Sequence, residues 1–224
     1  GASSAPRDAR KFGERVLFTA DTEGTGRELW ISNGSIAGTT PVSDIAPGSA
    51  ASAPQAITVV GDRVWMSADD GAQGREPWLT RDIDTASQLV MDLNEGASSS
   101  SPAEFIKYGG FVYFAATRLS DDGLSGEGRE LWRAGLDAQS PALFIDLASG
   151  GESSSPESLT VHDGALYFSA ETAEEGRELW VSDGTAEGTH SLLLREGSDG
   201  GEPAELLSFK GHLYFTADDG VRGR

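Results

Sequence analysis

The chain contains no cysteine, which excludes disulfide scaffolding, thiolate metal sites and cysteine nucleophiles. Lysine is scarce, at positions 11, 107 and 210, and the formal charge is −19 from 36 acids against 17 bases. A surface of that sign repels phosphate backbones, so nucleic acid is an unsuitable partner. No apolar run approaches the roughly 20 residues needed to span a bilayer as a helix, and no signal peptide is visible in the sequence. Histidine is limited to His162, His190 and His212, each at a different place in the local pattern. The sequence has no GxSxG elbow, no HExxH and no phosphate-binding loop. Carboxylate pairs could hydrolyse glycosides, but 36 acids produce pairs by chance. The expectation is a protein that is not an enzyme, with a carboxylate hydrolase as the remaining catalytic alternative.

What is present is repetition. Prolines 6, 54, 102, 156 and 203 open units of 48, 48, 54 and 47 residues, followed by a partial one. The long third unit carries its extra residues in "TRLSDDGLSGEG". Within the units Arg27-Glu28, Arg75-Glu76, Arg129-Glu130 and Arg177-Glu178 fall in step, and so do Trp30, Trp78, Trp132 and Trp180. Recurrence at a fixed period is the mark of a repeat architecture.

Each unit offers four short apolar runs cut by Gly and Asp turns; after Pro156 these are "SLTVH", "ALYFSA", "ELWVS" and "HSLLLR". Aromatic and β-branched content at this length signals strands, and no stretch has a helical period. Four strands in about 48 residues is the arithmetic of a propeller blade. The fold class expected is all-β: a β-propeller of four-stranded antiparallel blades. The whole of 1–224 then reads as one propeller, with units 6–53, 54–101, 102–155, 156–202 and a partial unit 203–224. The last unit offers only its first two strands, a hairpin from Leu206 to Ala217, and "LYFTADDGVRGR" ends at Arg224. Three arrangements fit that ending: a fragment of a longer array, completion by another copy through the C-terminal edge, or a ring with one thin blade.

The Gly-Arg-Glu-Leu-Trp segment starts the third strand of a blade, with Leu and Trp on opposite faces. The tryptophans are expected to wedge between neighbouring blades, with a ligand-binding ring as the alternative. Arg and Glu of the motif are expected to form a structural network, pairing across blades in Arg–carboxylate geometry or lining one end of the barrel. The "SNGS" and "SDGT" turns close hairpins, since Asn and Asp before Gly tolerate positive φ.

"ELWISNGSIAGT" and "ELWVSDGTAEGT" resemble the bacterial ELWxxDGT repeat proteins. The likeness covers nearly the whole chain and weakens at "EPWLTRDIDTAS" and "ELWRAGLDAQS". It implies a repeat-built, exported bacterial protein and no particular reaction. The order of strands and turns is also similar to TolB-type propeller blades, which bears on fold alone.

The linkers between units and the turns between second and third strands belong to one propeller face, and both are rich in Ser, Gly, Asp and Glu. Asp69, Asp70, Asp121, Asp122, Glu174, Glu175, Asp218 and Asp219 are the candidate calcium ligands there, because calcium takes six to eight oxygens. No complete DxDxDG loop occurs, so solvated turns are the competing reading. The function expected is a non-catalytic recognition or scaffold module, secreted or on a bacterial surface, with a protein or glycan ligand. A calcium-stabilised adhesive or self-assembling unit is the alternative.

Overall fold

The structure is a computed structural model that describes residues 3–81, 86–119 and 126–223. Among the described residues it is all-β. Sheet 1 holds β1 (Arg7–Phe12), β2 (Arg15–Thr22), β3 (Gly26–Ser32) and β4 (Thr39–Ser43) in sequence order. Sheet 2 repeats this with β5 (Gln55–Val60), β6 (Arg63–Asp69), β7 (Arg75–Thr80) and β8 (Gln88–Leu89). Sheet 3 is β9 (Ala103–Tyr108), β10 (Phe111–Leu119), β11 (Gly126–Gly135) and β12 (Ala142–Ile145). Sheet 4 is β13 (Glu157–His162), β14 (Ala165–Thr172), β15 (Gly176–Ser182) and β16 (His190–Leu192). Sheet 5 has two strands, β17 (Ala204–Phe209) and β18 (His212–Thr216).

The meander follows from local chemistry. Asp163 and Gly164 both take positive φ between β13 and β14, as a two-residue turn of the primed kind requires. Two residues after each unit-opening proline, Asp8, Ala56, Glu104, Ser158 and Glu205 also have positive φ. A register shift follows at that point in the first strand pair, seen between Arg7 and Arg10 and again between Glu157 and Thr160. Such a bulge bends the strand and strengthens its twist.

The chain gathers into two compact units: residues 1–105 with 137–139, and residues 106–136 with 140–224. In the first, Leu17, Leu29 and Ile31 of sheet 1 form one core with Val64, Met66, Ala68 and Trp78 of sheet 2. In the second, Tyr113 and Leu131 of sheet 3 form a core with Leu166, Phe168 and Ala170 of sheet 4, and Trp180 packs against it. In both units the motif Leu of one sheet faces the motif Trp of the next. Alternation along the strand puts the two on opposite sides of their own sheet. Burying each such side chain contributes about 1.5–3 kcal/mol.

Candidate functional site

The repeated Arg-Glu motif is the part of the sequence that looks most like chemistry. The carboxylates of Glu28, Glu76, Glu130 and Glu178 are fully buried. The Arg–Glu pairing expected for the motif gives way to a different set of partners. Glu28 accepts from the Ser52 amide at 2.8 Å, the Ser52 hydroxyl at 2.5 Å and the Ile45 amide at 3.3 Å. Glu76 repeats this with Ser100 at 2.8 and 2.5 Å and the Leu93 amide at 3.2 Å. Glu130 accepts from the Ser154 amide at 2.6 Å, from the Ser154 hydroxyl, and from the Leu147 amide at 3.1 Å. Each serine stands two residues before the proline that opens the next unit. In the fourth unit Gly201 holds that place, because a side chain there would run into Leu194. Glu178 instead accepts from the Leu194 and Arg195 amides at 2.8 and 3.0 Å.

The arginines reach the opposite way. Arg27, Arg75 and Arg177 donate to the carbonyls of Ala5, Ala53 and Ser155, at 2.9, 3.0 and 3.0 Å. Those residues precede the prolines that open the same units. Arg27 also pairs with Asp21, and Arg177 lies 3.7 Å from Glu171. Meanwhile the carbonyls of Arg27, Arg75, Arg129 and Arg177 accept from the amides of Ala53, Ser101, Ser155 and Glu202 in the following linker. The motif glycine makes room for that linker. Gly128 has positive φ, and a Cβ there would overlap the Glu152 carbonyl; Gly26 stands in the same relation to Ala50. One motif therefore holds the linker before its sheet and the linker after it.

Burial sets the electrostatics. Desolvation pushes the Glu76 carboxyl up to about 7, against the Ser100 and Leu93 hydrogen bonds that pull it down. Glu28 and Glu130 are raised for the same reason. These serine–carboxylate pairs are enclosed.

Trp78, Trp132 and Trp180 pack against buried residues. Trp132 is buried and donates to the Ala116 carbonyl at 3.2 Å. Trp180 donates to Ala170 at 3.2 Å and stacks on Phe168 with ring centroids 6.4 Å apart. Trp78 lies in the core of the first unit, and Trp30 sits across from Phe18 on β2. Asn33 and Asp183 close their turns as the sequence suggests. Asn33 Oδ1 accepts from the Ser35 amide and hydroxyl, and Asp183 Oδ1 from those of Thr185.

The calcium candidates do not converge. Among the described residues no three acidic or histidine side chains come together as a metal-ligand set. Asp69 accepts from the Gly71 amide, and Asp70 from those of Ala72 and Gln73. Asp218 accepts from Gly220, and Asp219 from Val221 and Arg222. These carboxylates cap their own turns. Asp121 and Asp122 lie outside the described residues.

Glu174 and Glu175 have a different setting. In the second unit the linker Leu147–Ser153 and the turn Glu171–Glu175 enclose a cleft of about 510 Å³. Trp180 lines it beside Glu152, Glu171, Glu174 and Glu175, with Ser149, Ser153 and Thr172 supplying hydroxyls. Glu175 Oε2 is buried and has no hydrogen-bond partner among the described residues. Four glutamates and an indole line the cleft, Glu171 lying 3.7 Å from Arg177, and the surplus of carboxylates suits a donor-rich ligand. Sequence reasoning put Glu174 and Glu175 on this face. It missed Glu152 and Trp180 as their neighbours, because the pairing of linker with turn is a three-dimensional property.

No protein-family model matches the chain, and no curated protein matches it. Solved structures do. A prolyl endopeptidase superposes with a TM-score of 0.54 at 11% identity, over 80% of this chain and 24% of its own. A puromycin hydrolase mutant complexed with PGG gives 0.54 at 13% identity, over 96% of this chain and 33% of its own. The chain is thus similar in fold to propeller-containing proteins and spans a quarter to a third of their length. At such identities the likeness concerns architecture, since one fold hosts many functions.

Proposed function

We propose that this chain is a non-catalytic recognition module of an exported or surface-displayed bacterial protein, akin to the ELWxxDGT repeat proteins. Its ligand is a basic segment of a partner protein, received in the acidic cleft of the second unit. The carrying observation is Glu175 Oε2, buried without a partner beside Trp180 and three further carboxylates. An unmatched buried acceptor costs about 1–3 kcal/mol, and an incoming guanidinium or ammonium would relieve it. The net charge of −19 favours the same class of ligand through its long-range field.

The test is calorimetric titration with arginine- and lysine-containing peptides at low and high salt. Saturable binding that weakens with salt, and weakens at least about tenfold in Glu175→Gln, is expected. Binding to neutral oligosaccharides with no response to basic peptides would sink the reading.

A further inference from the structure

The residue two places before the motif arginine is Thr25, Gln73, Glu127 and Glu175 in sheets 1 to 4. In three of these sheets the fold supplies its partner. The Thr25 hydroxyl lies 2.6 Å from that of Thr22. Gln73 donates its side-chain amide to Asp92 at 3.3 Å, and Glu127 accepts from the Arg118 guanidinium at 3.2 Å. Glu175 differs, because its Oε2 is buried and has no partner among the described residues. The register explains the difference. Arg118 stands across from Gly128, the glycine that opens the motif of sheet 3. Across from the same glycine of sheet 4, Gly176, stands Thr172. Sheet 4 thus keeps the glutamate of sheet 3 and lacks its arginine. Thr172 lines the acidic cleft with Glu175, so the place that Arg118 fills in sheet 3 opens onto the cleft in sheet 4.

We infer that the cleft takes an arginine side chain in particular, its guanidinium standing where Arg118 stands in sheet 3. The inference rests on the reading of this cleft as the receiver of a basic segment, and it narrows the ligand. A cleft of about 510 Å³ suits an organic group better than a bare ion. Among the described residues no three acidic or histidine side chains converge as metal ligands do. Trp180 also lines the cleft, with its Nε1 bound to the Ala170 carbonyl and its ring 15° from the plane of Phe168. An indole fixed in this way gives a planar guanidinium a surface to stack on while its N–H groups fork onto a carboxylate. A lysine ammonium is a strongly hydrated point charge with no plane to match.

Three short peptides test this on the unaltered chain. Each is acetylated and amidated and carries arginine, lysine or citrulline between flanking glycines. Titrations at low salt are followed by NMR through the Trp180 indole N–H. Citrulline keeps the planar shape without the charge. The arginine peptide is expected to bind at least about tenfold more tightly than the lysine peptide, and the citrulline peptide to give no saturable shift. Equal affinity for arginine and lysine would overturn the inference and leave the basic-segment reading standing. No saturable binding of either cation would sink both. A Thr172→Arg variant supplies the guanidinium from within, as Arg118 does in sheet 3. It is expected to bind the arginine peptide at least about tenfold more weakly while melting no lower than the parent chain. Undiminished binding by the folded variant would overturn the placement.

Discussion

Ser100 binds Glu76 twice, donating its amide at 2.8 Å and its hydroxyl at 2.5 Å to a carboxylate 24 residues earlier in the chain. Ser100→Ala removes the hydroxyl bond and keeps the amide bond. A hydrogen bond to a charged group contributes about 1.5–3 kcal/mol, so a loss of that size is expected in urea unfolding at pH 8. At pH 5, where the carboxyl holds its proton, the loss is expected to fall to about 1 kcal/mol.

Stability should itself depend on pH through this group. The Glu76 carboxyl, with an ordinary value of 4.5, is raised to about 7 in the fold. A carboxyl that holds its proton more tightly folded than unfolded contributes fully below about pH 4.5, and that contribution is lost as pH rises through about 7. The change is about 3 kcal/mol for Glu76, with Glu28 and Glu130 acting in the same direction. Unfolding free energy measured from pH 8 down to pH 5 should therefore increase. Glu76→Gln, which cannot ionise, should flatten part of the slope; a slope identical to that of the parent chain would contradict the assignment.

Two glycines of sheet 1 separate backbone strain from crowding. Gly13 and Gly26 both have positive φ, but a Cβ at Gly13 meets nothing, whereas at Gly26 it overlaps the Ala50 carbonyl. Gly13→Ala should cost about 1–2 kcal/mol, the penalty of a left-handed Ala. Gly26→Ala should cost about 4 kcal/mol or more, in the range reserved for disrupted cores. Thermal melts of the two variants decide the point.

The tryptophans should differ in their response to Phe. Trp132→Phe leaves the Ala116 carbonyl without its indole donor. Trp78 Nε1 has no partner among the described residues, so Trp78→Phe leaves no acceptor behind. Trp132→Phe should be the more destabilising by about 1 kcal/mol, and Trp132→Ala should cost about 3–5 kcal/mol. Equal losses for the two Phe variants in urea titration would argue against this account.

The strand count and the blade-like sheets were legible in the sequence, because period and alternation are local properties. The partners of the Arg-Glu pair were not. A structural network was expected, by pairing across blades or lining of one barrel end, yet on a strand Arg and Glu point to opposite faces and reach different linkers. The decisive partner, serine two residues before proline, lies in "SAP" and "SSP" segments whose composition reads as solvated loop. Ser52, Ser100 and Ser154 are fully buried instead. The acidic turns left two readings open, calcium ligands or solvated turns. Asp70 and Asp219 look like free ligands, but their oxygens accept from amides two and three residues on.

The 24-residue separation between Glu76 and Ser100 also bears on synthesis, which delivers the chain from its N-terminus onward. When β7 leaves the ribosome, its buried carboxylate has no serine to receive it. Sheet 2 reaches its full set of bonds only after the segment leading to Pro102 has emerged. The same delay applies to Glu28 with Ser52 and to Glu130 with Ser154. Sheets 1 to 3 thus complete their bonds only with the start of the next unit, and a ribosome stalled within one of those linkers would hold the preceding sheet unfinished.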